Sequence, residues 1–170
     1  MSQAAAAVTA SLLMGGVVTP APANAAKYGQ FGAGSPLVLD PTEADIDRDV
    51  LGSSSVQNAI RKVKDYQTKV QEMQASLAAD NQANLRRTIL KEFDFAQLRD
   101  TLNSIDAAIE EDSQKGVDRL IRAILQDLTE LEIANTQKDG IQRSPRRLEI
   151  MNGKLAKLDQ AFNDYLAFAK

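Results

Sequence analysis

The chain has 170 residues, 44% of them hydrophobic and 25% charged, with a formal net charge of −3. That length carries one domain with a substantial core, and the charge excludes an electrostatic nucleic-acid binder. Cys and His are both absent, which excludes a disulfide framework, thiolate and imidazole metal sites, a Cys nucleophile and the commonest general base.

In chain order, residues 4–19 carry no charge and are small or apolar, and Pro20 and Pro22 break the run. Ala23-Asn24-Ala25 fits a signal-peptidase site, so residues 1–25 are expected to be a cleavable export segment ending before Ala26. A membrane-spanning helix would need ~20 apolar residues, and Gly15-Gly16 interrupts this shorter run. Met1-Ser2-Gln3 lacks the positive n-region of a bacterial secretory signal, and the second half of a bipartite targeting sequence is one reading that accounts for this. Residues 26–52 read as an irregular N-terminal arm, because Gly29, Gly32, Gly34, Gly52, Pro36 and Pro41 oppose helix. Its apolar side chains, Tyr28, Phe31, Leu37, Val38 and Leu39, fit two readings. The arm is either a strap covering a groove of the body or a docking segment that orders on a partner. The run Asp45-Ile46-Asp47-Arg48-Asp49 reads as a polar approach to the first helix.

Four amphipathic helices are expected over residues 53–170. The first opens at Ser53-Ser54-Ser55, any of which can cap it, and carries Val56, Ile60, Val63, Val70, Met73 and Leu77 at steps of three and four. The second runs from about 82 to 109 with Leu85, Ile89, Phe93, Leu98, Leu102, Ile105 and Ile109, and Asp94 marks a local irregularity. Residues 110–116 read as a polar connection. The third carries Val117, Ile121, Ile124, Leu128 and Leu131, and Gly140 is expected to end it in a left-handed conformation. Ser144 then caps the fourth, Pro145 is its first residue, and Leu148, Met151, Leu155, Leu158, Phe162 and Tyr165 or Leu166 form its stripe. Short connections make the expected fold all-α, an up-down-up-down four-helix bundle preceded by the arm. Gly140 and Pro145 oppose the competing long coiled coil.

Little in the chain points to catalysis. Without His the Glu-x-x-His pattern of di-metal bundles cannot be built, and Glu92, Glu110, Glu111, Glu130, Glu132 and Glu149 fall off the apolar stripes. Gly29-Gln30-Phe31-Gly32-Ala33-Gly34 lacks the Lys-Ser/Thr of a phosphate loop, and Ser53-Ser54-Ser55 has no base to activate it. No calcium loop pattern occurs. The chain is therefore expected not to be an enzyme and to bind no cofactor or metal itself. Basic residues stand out instead: Arg61-Lys62 with Lys64, Arg86-Arg87, and Arg143 with Arg146-Arg147. The last three crowd a helix N-terminus, where the dipole disfavours cations, and so are expected to serve an acidic partner.

Three stretches resemble the PsbQ-like extrinsic proteins of photosystem II. Leu98-Arg99-Asp100-Thr101-Leu102-Asn103-Ser104-Ile105 is similar to the family's Leu-Arg-x-Asp-Leu-Asn stretch, with the Asp shifted by one place. Leu131-Glu132-Ile133-Ala134 with Lys138 is similar to the close of its third helix, and Ser144-Pro145 with Leu155, Leu158 and Asp159 to its fourth. The resemblance covers roughly residues 56–168, and the arm is closer in style to red-algal and diatom relatives than to plant ones. It implies a chloroplast thylakoid-lumen subunit, peripheral to the membrane, whose partners are the lumenal domains of the photosystem II core and other extrinsic subunits. Such a subunit acts near the partner's manganese–calcium–chloride site, with no nucleic acid and no homo-oligomer implied. The residues expected to dock are Tyr28, Phe31, Pro36, Leu37 and Val38 of the arm, with Arg86, Arg87, Arg143, Arg146 and Arg147. The alternative is an exported helical adapter or lipid-associated bundle, which the mixed-sign polar faces make a poorer fit.

Overall fold

The computed structural model describes residues 40–138 and 140–170. The expected export segment, most of the arm, and its docking residues Tyr28, Phe31, Pro36, Leu37 and Val38 lie outside the described residues. The described chain is all-α. Its helices are α1 (Arg48–Leu51), α2 (Ser54–Ala79), α3 (Arg86–Glu92), α4 (Phe95–Asp106), α5 (Glu111–Asn135) and α6 (Pro145–Ala167). The described residues contain one isolated antiparallel bridge, between Ile46 and Ile109, and no named strand. No helix among them is long and apolar enough to cross a membrane.

The apolar stripes form the core as their spacing requires. Val63, Val70, Ile89, Leu98, Leu102, Ile105, Val117, Ile124, Leu128, Leu131, Met151, Leu155, Leu158 and Phe162 are fully buried. Each such aliphatic or aromatic side chain contributes about 1.5–3 kcal/mol on leaving water. Tyr66 occupies the inward place in α2 and Tyr165 in α6, while Gln67 and Leu166 lie at the margins. α6 packs against α5 and α2, and α4 packs against α2 and α5.

Several boundaries differ from the periodicity reading, each for a local reason. The expected second helix is two helices. Asp94 starts a new one by accepting the Gln97 N–H at 3.0 Å, and Phe93 leaves helical geometry with its ring stacked on Tyr66 at 5.6 Å between centroids. The polar run from 111 onward is helical, so Gly116 lies inside α5. That helix ends at Asn135, five residues before Gly140, which does take φ 73° but in the following loop. The end of the arm is partly helical: Asp47 caps α1 by accepting from the Asp49 and Val50 N–H groups at 3.0 Å. Ser53, Ser144 and Pro145 cap and open their helices as expected.

Two sets of hydrogen bonds tie the ends of these helices. Asp47 N–H donates to Ala108 at 2.8 Å, Glu110 N–H to Asp45 at 3.1 Å, and Arg48 Nη1 to the Lys170 carbonyl at 2.9 Å. These join the residues around α1 to the close of α4, the start of α5 and the close of α6. The second set, at the opposite ends of α2, α5 and α6, builds the site below.

Candidate docking site

At this second end the chain turns twice. Asp80 accepts the Gln82 N–H at 2.8 Å in a tight turn after α2. The loop from Thr136 to Ser144 joins α5 to α6 and places Arg143 against that first turn. Arg143 is 6% exposed. Its Nη1 donates to the Asn81 carbonyl at 2.6 Å and its Nη2 to the Ala83 carbonyl at 3.0 Å. Its own N–H donates to Gln82 Oε1 at 2.7 Å, which also accepts from Gln137 Nε2 at 3.1 Å. Asn135, 2% exposed, accepts the Leu85 N–H at 3.0 Å and donates to Asn84 Oδ1 at 3.1 Å. One part-buried polar network, centred on the buried Arg143 and Asn135, therefore locks the α2–α3 connection to the α5–α6 loop.

This overturns the expected role of Arg143 as a surface charge. Its guanidinium is spent on carbonyls inside the protein, and its Nε is buried without a partner among the described residues. Burial, then the neighbouring Arg147 charge, lowers its pKa, and Asp80 opposes them. The dipole argument is corrected too. The arginines begin at the N-terminus of α6, but Arg147 Nη1 reaches the carbonyl of Thr136, the C-cap of α5, at 2.6 Å. Arg143 likewise reaches carbonyls just past α2. Both cations thus meet the negative ends of neighbouring helices, a favourable placement.

The network also settles which basic pairs share an end. Arg86 and Arg87 open α3 directly after Leu85, whose N–H is held by Asn135 at the close of α5. They therefore lie at the same end as Lys138, Arg146 and Arg147. Residues 80–87 and 136–150 together carry six basic and three acidic residues, against −3 for the whole chain. Arg86, Arg87, Lys138, Arg146 and Arg147 are exposed. Of these, Arg146 pairs with Glu149 at 3.0 Å across exposed side chains, a contact worth little. Arg86, Arg87 and Lys138 make no ion pair among the described residues. Arg61, Lys62 and Lys64 are exposed along the first half of α2, away from this set. Periodicity did not mark Asn135, Gln82, Asn84 or Lys138. For Gln82 and Asn84 the signal was the polar run Asn81-Gln82-Ala83-Asn84, whose partners lie more than fifty residues away.

The opposite end has the other sign. Residues 45–49 and 106–111 carry six acidic residues and one basic. Asp106 is half-buried with Oδ1 unpartnered, and burial, then Asp118, pushes its pKa up to about 6. Burial, then Asp106, also raises the pKa of Tyr165, whose hydroxyl donates to the Leu102 carbonyl at 2.5 Å. Among the described residues no group of three or more potential ligands is gathered closely enough to hold a metal ion. The chain matches no family model, no curated protein and no solved structure.

Proposed function

We propose that this chain is a non-enzymatic docking subunit, and that its target is the lumenal face of photosystem II. The observation that carries the docking role is the basic end, where Arg86, Arg87, Lys138, Arg146 and Arg147 stand exposed on a rigid polar lock. Single exposed ion pairs are worth about 0.2–1 kcal/mol. A cluster of five facing an acidic surface acts mainly by steering encounter and fixing orientation, and it makes binding salt-sensitive. The photosystem rests on the three stretches that resemble PsbQ-like proteins and on the export-type residues 1–25. In this reading the subunit holds no cofactor of its own. It covers the approach to the partner's manganese–calcium–chloride site and restricts exchange of ions and reductants.

The fold belongs to the same proposal. We take α2, the α3–α4 pair, α5 and α6 as the four arms of an up-down-up-down bundle. The two sets of end-to-end hydrogen bonds and the packing of α4 and α6 between α2 and α5 support it. The decisive functional test is rebinding to salt-washed photosystem II membranes. Saturable, salt-sensitive rebinding that raises oxygen evolution at low calcium and chloride is expected, and R86E/R87E/R146E should weaken it. Absence of rebinding by the unmodified protein would refute the photosystem assignment.

A further inference from the structure

All four large apolar side chains that are exposed among the described residues lie in the elements meeting at the basic end. They are Leu90 of α3, Ile133 of α5, Ile141 of the loop and Ile150 of α6, exposed by 53%, 66%, 58% and 41%. Two of them, Ile133 and Ile150, lie on one face close to the loop that carries Ile141. Lys154 of α6 bridges Asp127 at 2.7 Å and also Glu130 of α5, which fixes the register of the two helices. Ile133 lies three residues beyond Glu130 and Ile150 four before Lys154, so each stands one turn nearer the loop on the bridged face. Ile141 sits in that loop, its carbonyl held by Gln137 Nε2 at 2.5 Å. A cavity of about 230 Å³ opens beside Ile141, lined also by Lys138, Ser144, Arg143 and Arg147.

We propose that this hairpin tip anchors an acidic, apolar segment of a partner protein: one carboxylate side chain enters the cavity between Lys138 and Arg147, and a flanking apolar side chain covers Ile133, Ile141 and Ile150. The proposal deepens the docking role above and rests on it, but not on which complex supplies the segment. Volume favours a side chain. Cofactor-sized ligands need about 300–1,000 Å³, whereas this cavity is smaller. Charge selects the sign, since among the described residues Lys138 makes no ion pair and the Arg147 side chain reaches a carbonyl and no carboxylate. Neighbouring isoleucines with that charge require an occupant that is both acidic and apolar, because a purely acidic one would leave the patch wet. A membrane surface fits less well. The site is concave, lacks Trp and Tyr, and belongs to a chain of net charge −3.

The test is an NMR titration of the full chain with a synthetic pentapeptide of alternating leucine and aspartate, beside a counterpart with asparagine in place of aspartate. Amide shifts confined to residues 133–150 are expected with the acidic peptide only. K138E and I141S, both at exposed side chains, should each weaken binding by about tenfold while leaving the spectrum dispersed. No shift at millimolar peptide, equal shifts with the asparagine peptide, or undiminished binding by both variants would overturn the proposal. So would sedimentation with phosphatidylglycerol vesicles that the acidic peptide fails to displace. Photosystem membranes form a separate arm: peptide binding without membrane rebinding would remove the photosystem and leave the anchor standing.

Discussion

Replacing Arg143 with alanine removes a guanidinium that ties two loops together across the basic end. Two of its hydrogen bonds have good length, 2.6 Å to the Asn81 carbonyl and 3.0 Å to the Ala83 carbonyl. The contact with Asn135 Oδ1, at 3.4 Å, is too long to count for much. Bonds to a charged donor are worth about 1.5–3 kcal/mol each. Against this stands relief of a buried cation that has no carboxylate partner and an unpartnered Nε. The expected net loss is about 2–4 kcal/mol. Urea unfolding followed by circular dichroism should show a lower midpoint with an unchanged slope, the sign of lost stability without a changed denatured state. Arg143→Lys should fall between the two, since one ammonium cannot span both carbonyls as the planar fork does. Arg147→Ala is the control, because that exposed side chain makes one carbonyl bond and should cost under about 1 kcal/mol. If R143A loses no more than R147A, the interior role given to Arg143 is wrong.

Three further outcomes follow from particular contacts. Asp106 has a folded pKa of about 6 against 3.8, so the folded protein holds its proton more tightly. The stability it contributes is complete below the ordinary pKa and lost as pH rises through about 6. Fully expressed, the shift is worth ~3 kcal/mol, and half-exposure with screening reduces it to about 1–1.5 kcal/mol. The difference in urea midpoint between D106N and the parent should therefore grow from pH 4 to pH 7, and a constant difference would contradict the assignment. Tyr165→Phe removes a buried donor from the Leu102 carbonyl and should cost about 1 kcal/mol in the same assay. Lys154→Met leaves Asp127, only 14% exposed, without its partner and should cost about 2 kcal/mol. Adding Asp127→Asn to it should recover part of the loss, and strict additivity would mean that the pair is not coupled.

The helical core was legible along the chain because burial on a helix repeats every 3.6 residues, and that repeat survives in sequence. Val63, Val70, Leu98, Leu128 and Leu155 were placed inward by spacing alone. Caps were legible for the same local reason: Ser53 and Ser144 act within three residues of themselves. Spacing could not show the break at Phe93, because Leu85, Ile89, Phe93 and Leu98 continue a helical period across it. The break depends on Asp94 capping a new helix and on Phe93 meeting Tyr66, 27 residues earlier.

Composition and periodicity by themselves determined an all-α chain with apolar stripes at helical spacing. They also marked Arg86, Arg87, Arg143, Arg146 and Arg147 as a set worth locating. Only the tertiary structure decided that these arginines share an end, that Arg143 is interior, and that Lys138 and three isoleucines join the exposed ones. The physical reason is range. Stripes and caps are set by neighbours three or four residues away, whereas the charge at a helix end depends on which other ends the folded chain brings beside it.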